Sequence, residues 1–397
     1  MPLPPRSPAP WLSLLWIFAC SSDDQTTVHP HAQAVSFLSF NTALGVGLAP
    51  YVDARLEAIE RDLPGLAADV VCLQEVWRAA DAERLSAALS EEYPYSHWSV
   101  RLGSGEAGER CMASEADALL GCLEENCADL DGQLLSACAI LSCASDFTGV
   151  SSSCQDCVAS NQTLPPAEIA STCADEAAAV EAYEDQNGLL LLSRWPLVEP
   201  SARAMISALG DRGILAARLG VPLRAPDGSD VSVDVLCSHL TPDFMSLPYS
   251  GQFGSWAAER DYHIGELLDF ATQRADGGLR VLVGDMNTGP ETPRAVASGP
   301  EAFATFVDAG YRSPYAESPD STCTFCIDNP LVGAETDDGD RGAIIDHVLV
   351  ANLPMATQLE SERVLDQGLS LEVDGETVRT AYSDHYGVLV TLGASGP

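Results

Sequence analysis

Apolar runs that stop at a polar residue constrain this chain more than any other feature. The clearest is residues 281–287, V-L-V-G-D-M-N. Val281, Leu282 and Val283 are continuous, apolar and β-favouring, the signature of a strand covered on both faces. Gly284 is expected to end the run and let the backbone turn. Asp285 and Asn287 lie two residues apart and point to the same side of an extended chain. Such a pair can hold a metal, a water or a phosphate, although Asp and Asn are also ordinary turn formers. What distinguishes the two readings is recurrence, and the pattern recurs.

A strand over 35–41 ends in Asn41, one over 69–75 ends in Glu75, and one over 231–239 ends in His239. A strand over 343–350 carries Asp346, and the last, over 386–392, is entered through Ser383-Asp384-His385. Further strands are expected over 95–102, 187–193 and 214–223. Helical spacing of apolar residues marks 51–62, 80–90, 254–274 and 301–309, and 311–342 is rich in loop formers. Strands alternating with helices make this an α/β chain. Its 397 residues suffice for one large domain or two ordinary ones, and no apolar run is long enough to cross a bilayer.

Between the third and fourth strands the composition changes. Residues 103–186 hold eight cysteines, at 111, 122, 127, 138, 143, 154, 157 and 173. The gaps run 11, 5, 11, 5, 11, 3 and 16, an internal repeat of 16 residues. Leucines between the cysteines suggest short helices, so the segment reads as a disulfide-stapled helical insert. Its pairing is open. A four-thiolate zinc site is the alternative, since the segment has no His.

Residues 1–19 read as a signal peptide: Arg6 precedes a short apolar stretch, and Ile17-Phe18-Ala19-Cys20 resembles a lipobox whose Cys20 would carry a lipid. Cleavage after Ala34 is the competing reading, and residues 20–34 form a polar linker. Either reading exports the chain, as a secreted protein or a bacterial outer-membrane lipoprotein. Export suits thirteen cysteines. Cys72 and Cys237 lie on strands and are expected as buried core thiols, while Cys323 and Cys326 are expected as a small disulfide, with a redox centre as the sharper reading.

The charge balance is 58 acidic against 20 basic residues, net −38, and the chain has no Lys. No lysine chemistry is available. No basic run exists to displace counterions from phosphates, which disfavours tight nucleic-acid binding but leaves a metal-bridged phosphate substrate open.

Asn41, Glu75, His239, Asp285, Asn287, Asp346, Asp384 and His385 all stand at or within apolar strands. Polar groups there are costly unless paired or bound, and strand ends are where open α/β folds place their sites. Carboxylate and amide oxygens suit Mg²⁺ or Ca²⁺. Histidines suit proton transfer and phosphate contacts. No serine-hydrolase elbow and no phosphate-binding loop of the NTPase type is present. The implied chemistry is metal-assisted attack of water on a phosphoester.

The blocks F-N (40–41), L-Q-E-V (73–76), L-S-R-W-P (192–196), S-H-L (238–240), G-D-M-N (284–287), I-D-H-V (345–348) and S-D-H (383–385) resemble, in order, the endonuclease/exonuclease/phosphatase superfamily, deoxyribonuclease I-like, and most closely its neutral sphingomyelinase branch. The resemblance covers about 35–102 and 187–393 and omits the insert. It implies a four-layer α/β/β/α sandwich with a cysteine-rich helical insert. It also implies roles: Glu75 as main metal ligand with Asn41 beside it, Asp384 in the metal shell, and His385, oriented by Asp346, as general base. Asp285 and Asn287 would position water and phosphate or hold a second metal, and His239 would donate to phosphoryl oxygens. Mg²⁺ is the expected ion, with Mn²⁺ or Ca²⁺ as alternatives. Arg194 is expected to be structural, and His29, His31, His97 and His263 to be surface or packing residues.

The expected function is an exported, metal-dependent phosphodiesterase acting on a phospholipid in the manner of a sphingomyelinase. An extracellular nuclease of the same superfamily is the enzyme alternative. A surface lipoprotein whose cysteine-rich insert binds a partner is the other. Residues 241–256 carry Phe244, Met245, Leu247, Tyr249, Phe253 and Trp256, which either pack onto the sandwich or present a lipid-facing rim.

Overall fold

The computed structural model describes residues 32–45, 49–98, 113–128, 188–244, 249–274, 276–332, 341–373 and 375–393, with single positions and short runs between 130 and 172. The expected signal peptide, Cys20 and residues 99–102 lie outside these. In chain order the described strands are β1 (Ala34–Asn41), β2 (Val70–Gln74), β3 (Tyr95–His97), β4 (Leu190–Ser193), β5 (Leu197–Met205), β6 (Arg212–Leu219), β7 (Leu223–Arg224), β8 (Asp230–Val231), β9 (Val233–His239), β10 (Leu279–Asp285), β11 (Asp346–Ala351), β12 (Gln358–Val364), β13 (Leu369–Val373), β14 (Glu376–Thr380) and β15 (Gly387–Gly393). One sheet runs β12-β15-β1-β2-β4-β3, and a second runs β11-β10-β9-β6-β5. Two short hairpins, β13-β14 and β7-β8, account for the remaining strands among the described residues.

Strand alternation explains why the apolar runs are continuous. Val35 and Phe37 point into a core shared with Val281 and Val283 of the other sheet. Leu38 and Phe40, one residue out of phase, pack with Leu56 and Ile59 of α1 (Val52–Asp62) and Leu85 of α2 (Ala79–Ala88). On the far side Leu236 and Leu282 pack with Ile264 and Leu267 of the helix Trp256–Arg274 and with Phe303 and Phe306 of the helix Pro300–Asp308. The order of layers is helix, sheet, sheet, helix, the expected four-layer sandwich. Each large side chain removed from water contributes roughly 2–3 kcal/mol.

Cys72 and Cys237 both face the core between the sheets, and there they are joined as a disulfide from β2 to β9. This corrects the expectation of two separate thiols. Alternation gives each an inward direction, but sequence alone does not say which strand of one sheet lies over which strand of the other.

The expected strand 95–102 is described only as the short β3. Gly284 does not end its strand, because β10 runs through Asp285. The glycine is required sterically: a Cβ there would lie 1.8 Å from the Ser238 carbonyl oxygen of β9. Strands β5, β12, β13 and β14 were not expected. β5 and β12 are edge strands with half their residues turned to solvent. β5 also carries Pro200 at a break in register between Val198 and Ser201, a position where an edge tolerates proline.

Within the insert α3 (Ala113–Asn126) is followed by a short helix Ala144–Phe147. Cys122–Cys143 encloses Cys127–Cys138, so the gaps of 5, 11 and 5 become two nested rungs. Leu119, Leu123, Phe147 and Ile169 form a small core with these cysteines. Cys154 is also disulfide-bonded, and Cys111, Cys157 and Cys173 lie outside the described residues. The thiolate zinc alternative is therefore not what these described cysteines form. Cys323 and Cys326 pair as expected.

Candidate active site

β1 and β2 are parallel, as are β9 and β10, and β15 and β11 run antiparallel beside them. The carboxyl ends of four strands and the starts of two therefore meet on one edge of the sandwich. Asn41 ends β1, Glu75 follows β2, His239 ends β9, Asp285 ends β10, Asp346 opens β11, and Asp384 and His385 precede β15. Register places Asp285 opposite both His239 and Asp346.

Side-chain contacts knit the two sheets together. Asn41 Nδ2 donates to Glu75 Oε1 at 3.0 Å and to Asp285 Oδ2 at 3.1 Å, while its Oδ1 accepts from the Ala43 amide. His385 Nδ1 lies 2.9 Å from Asp346 Oδ2, and His385 Nε2 lies 3.9 Å from Asp285 Oδ2. His239 Nε2 reaches the same Asp285 oxygen at 3.4 Å. Asp285 Oδ1 accepts from the Asn287 amide, and Asn287 Nδ2 donates to the Leu240 carbonyl. Ser383 Oγ donates to Asp384 Oδ1 and accepts from the His385 amide. Asp384 acts on Glu75 through its charge. All eight sequence-predicted residues thus belong to this edge. Glu75 and Asn287 hold left-handed backbone, φ 60° and 49°, a conformation that side-chain-bearing residues adopt at a cost.

Burial and crowding of charge perturb these groups. Burial raises the Glu75 pKa and the negative charge of Asp384 raises it further, against the hydrogen bond from Asn41. Burial, then Asp346, pushes Asp285 up to about 7. Burial holds His239 well below the ordinary imidazole value, helped by the positive charges of Arg212 and His385. For His385 burial works against the charged form, but Asp346, Asp285 and Asp384 outweigh it and leave its pKa well above the ordinary value.

This donor set fits a hard divalent cation. Carboxylates crowd together, and Asp346 Oδ1 is buried with no hydrogen-bond partner among the described residues. One ligand atom each from Asp285, Asp346 and His385 lies within 4.8 Å of the others. Cys323, Cys326 and Asp328 make a second such group, but its sulfurs are joined to each other.

Several further residues of the site do not interrupt an apolar run, and of these only Thr324 was legible, through the resemblance of residues 322–330 to a family loop before the Asp346 strand with C-x-x-C added. Arg55, fully buried in α1, donates to the carbonyls of Pro50, Thr42, Tyr382 and Ala43, tying the loop after Asn41 to the segment before Asp384. Burial lowers its pKa to about 10, against the pull of Asp384 and Glu75. Arg212 opens β6, lies over the Trp77 ring at 5.7 Å, and acts electrostatically on both Glu75 and His239. Thr324 Oγ1 accepts from the amides of Ile345 and Asp346. None of these breaks an apolar run, which is the signal that exposed the others.

Arg194 pairs with Glu92 and donates to the Ala67 carbonyl, as a structural residue would. His97 meets the Ser201 carbonyl, and His263 is fully buried. The aromatic residues after His239 pack on one another. Phe244 and Tyr249 meet the buried Trp256 edge-on, each at 4.9 Å, and Phe253 stacks on Tyr262. Tyr249 Oη donates to Glu259. Met245 and Leu247 lie outside the described residues.

A family model described as the Endonuclease/Exonuclease/phosphatase family matches residues 38–385. No curated protein matches the sequence. Among solved structures, sphingomyelinase C from Streptomyces griseocarneus is similar with a TM-score of 0.53 and 19% identity, over 92% of this chain and 100% of that one. Beta toxin from Staphylococcus aureus is similar with a TM-score of 0.54 and 15% identity, over 90% and 99%. A mutant beta toxin from the same organism, with bound magnesium ions, gives 0.53 and 13%, over 91% and 99%. At these identities the likeness is one of fold.

Proposed function

Because this chain belongs to the endonuclease/exonuclease/phosphatase family, we propose that it is an exported, metal-dependent phosphodiesterase that acts on a choline phospholipid such as sphingomyelin. The observation that carries the reading is the His385–Asp346 pair, set 3.9 Å from Asp285 among Glu75, Asn41, His239 and Asp384. We assign the catalytic domain to 35–102 and 187–393 and treat 103–186 as an insert in it.

Asp346 accepts from His385 Nδ1, which turns Nε2 toward Asp285. The ring takes a proton from water only in its neutral form, which the surrounding carboxylates disfavour until a cation offsets their charge or the pH rises. Asp285 and Asn287 hold that water and the phosphate in line. His239, kept neutral by its surroundings, donates to a phosphoryl oxygen. Glu75 and Asp384 would hold Mg²⁺, or Mn²⁺ or Ca²⁺ in its place. Asn41, expected as a ligand beside Glu75, here donates from Nδ2 to Glu75 and Asp285 and would have to turn its amide to join them. The ion would supply positive charge where the phosphoryl oxygens gain negative charge.

The fold shared with a sphingomyelinase C supports the lipid assignment, and so does the net charge of −38 without a lysine, which is ill suited to a polyanion. The buried and nested disulfides support export. In the aromatic cluster after His239, Trp256 is buried while Phe244 and Tyr249 against it and Phe253 against Tyr262 are half-buried, so packing accounts for part of their surface and the cluster favours neither reading. The test compares hydrolysis of sphingomyelin and phosphatidylcholine vesicles with cleavage of plasmid DNA, with Mg²⁺ and with EDTA. Metal-dependent release of phosphocholine is expected. Cleavage of DNA with no action on either lipid would overturn the substrate assignment, and full activity in EDTA would overturn the mechanism.

A further inference from the structure

The loop that carries Cys323 and Cys326 is built onto the dyad. Thr324 and Phe325, the two residues between the cysteines, make its contacts. Thr324 Oγ1 accepts from the amides of Ile345 and Asp346 at 3.0 and 3.1 Å. The Thr324 carbonyl accepts from the Tyr386 amide at 2.8 Å, directly after His385. The Phe325 ring lies 5.0 Å from the His385 ring, and Phe325 bridges both Ala343 and His385. From the other side, Arg363 of β12 donates to the Cys323 carbonyl at 2.9 Å and lies 3.4 Å from Cys326 Sγ. Its Nε is paired with Asp366, and its guanidinium covers the Tyr386 ring.

We propose that the Cys323–Cys326 disulfide is a redox-sensitive staple that fixes Thr324 and Phe325 as positioning residues for Asp346 and His385. The inference rests on the reading of that pair as the general base. Accessibility separates this disulfide from the one between the sheets. Cys323 is 9% exposed, whereas Cys72 and Cys237 are wholly buried. A dithiol reductant attacks Cys323 Sγ as a thiolate. The protein S–S bond breaks, a mixed disulfide forms, and Cys326 leaves as a thiolate beside Arg363. The second thiol of the reductant then closes its own ring disulfide and releases Cys323, so two electrons pass to the protein. Without the staple the two-residue link is freed, and Thr324 no longer fixes the backbone at Asp346. Arg363 favours the reduced state by stabilising the Cys326 thiolate, which makes the loop a responsive element as well as a brace.

The test treats the native, full-length protein with dithiothreitol without denaturant, then locates free thiols by alkylation and mass spectrometry. Turnover is followed with bis(p-nitrophenyl) phosphate. We expect label at 323 and 326 but not at 72 or 237, kcat lower by about tenfold, KM nearly unchanged, and recovery on oxidation with oxidised glutathione. Thr324→Val in the oxidised protein should reproduce the fall in kcat. Reduction at both positions with kcat unchanged would overturn the proposal, as would activity loss that appears only when Cys72 and Cys237 are labelled too. Absence of hydrolysis by the untreated protein would instead reject the phosphodiesterase reading on which the inference stands.

Discussion

His385 and Asp346 meet at 2.9 Å although they are carried by different sheets, Asp346 at the start of β11 and His385 before β15. The proposed base and its orienting carboxylate are therefore aligned only when the two sheets are packed. Asp346→Asn should keep the fold and lower kcat by roughly a hundredfold or more, through loss of the tautomer that leaves Nε2 free. Steady-state kinetics together with an unchanged circular dichroism spectrum check this.

Metal removal should be as damaging as loss of the base. Dialysis against EDTA should abolish hydrolysis, and Mg²⁺ should restore it. Glu75→Gln keeps the shape and the contact with Asn41 but removes the charge. It should cost roughly a thousandfold in kcat. Isothermal titration should show weakened Mg²⁺ binding by the variant, a readout independent of turnover.

The disulfide between β2 and β9 closes a loop of 165 residues. Replacing both cysteines, Cys72→Ala/Cys237→Ala, should lower the unfolding free energy by roughly 3–5 kcal/mol, because the unfolded chain regains the freedom of that loop. Urea unfolding of the variant beside the wild type measures it. A difference under about 1 kcal/mol would show that packing between the sheets already supplies the constraint.

His263 should make stability fall in mild acid. Its Nε2 donates to the Ile206 carbonyl and its Nδ1 accepts from the Thr241 amide, so both nitrogens are used by the neutral ring. Burial lowers its pKa from 6.5 to about 4. Between those values the unfolded chain binds the proton more readily than the folded one, so stability rises with pH. The contribution is complete above about 6.5 and is lost as pH falls through about 4, roughly 3 kcal/mol at most. His347, also near 4, acts in the same direction. Urea midpoints at a series of pH values should fall less steeply for His263→Gln than for the wild type.

The parts of the molecule legible in sequence are those where a long apolar run meets a single polar residue. That contrast exposed the buried strands and all eight residues gathered at the edge. It failed for β5 and β12, whose solvent-facing residues dilute the apolar signal as edge strands require. It failed for Arg55, because a buried guanidinium satisfied by four carbonyls looks like any helix-surface arginine. It misjudged Gly284, where the constraint is the closeness of Ser238 and not a turn. The partnership of Cys72 with Cys237 depends on which strands face across the core, a relation between sheets that no local pattern encodes.

That partnership also bears on how the protein matures. If the chain is exported as proposed and enters an oxidising compartment from its amino end, Cys72 is the first cysteine of the catalytic domain to arrive, and the eight cysteines of residues 103–186 follow before Cys237. Pairing in order of arrival would join Cys72 to one of those eight. The native connection skips them all, so maturation requires either that the insert close its own rungs first or that a wrong bond be exchanged. Thiol–disulfide reshuffling takes seconds to hours without catalysis, which makes the yield of active protein depend on the isomerase and the redox buffer present while it folds.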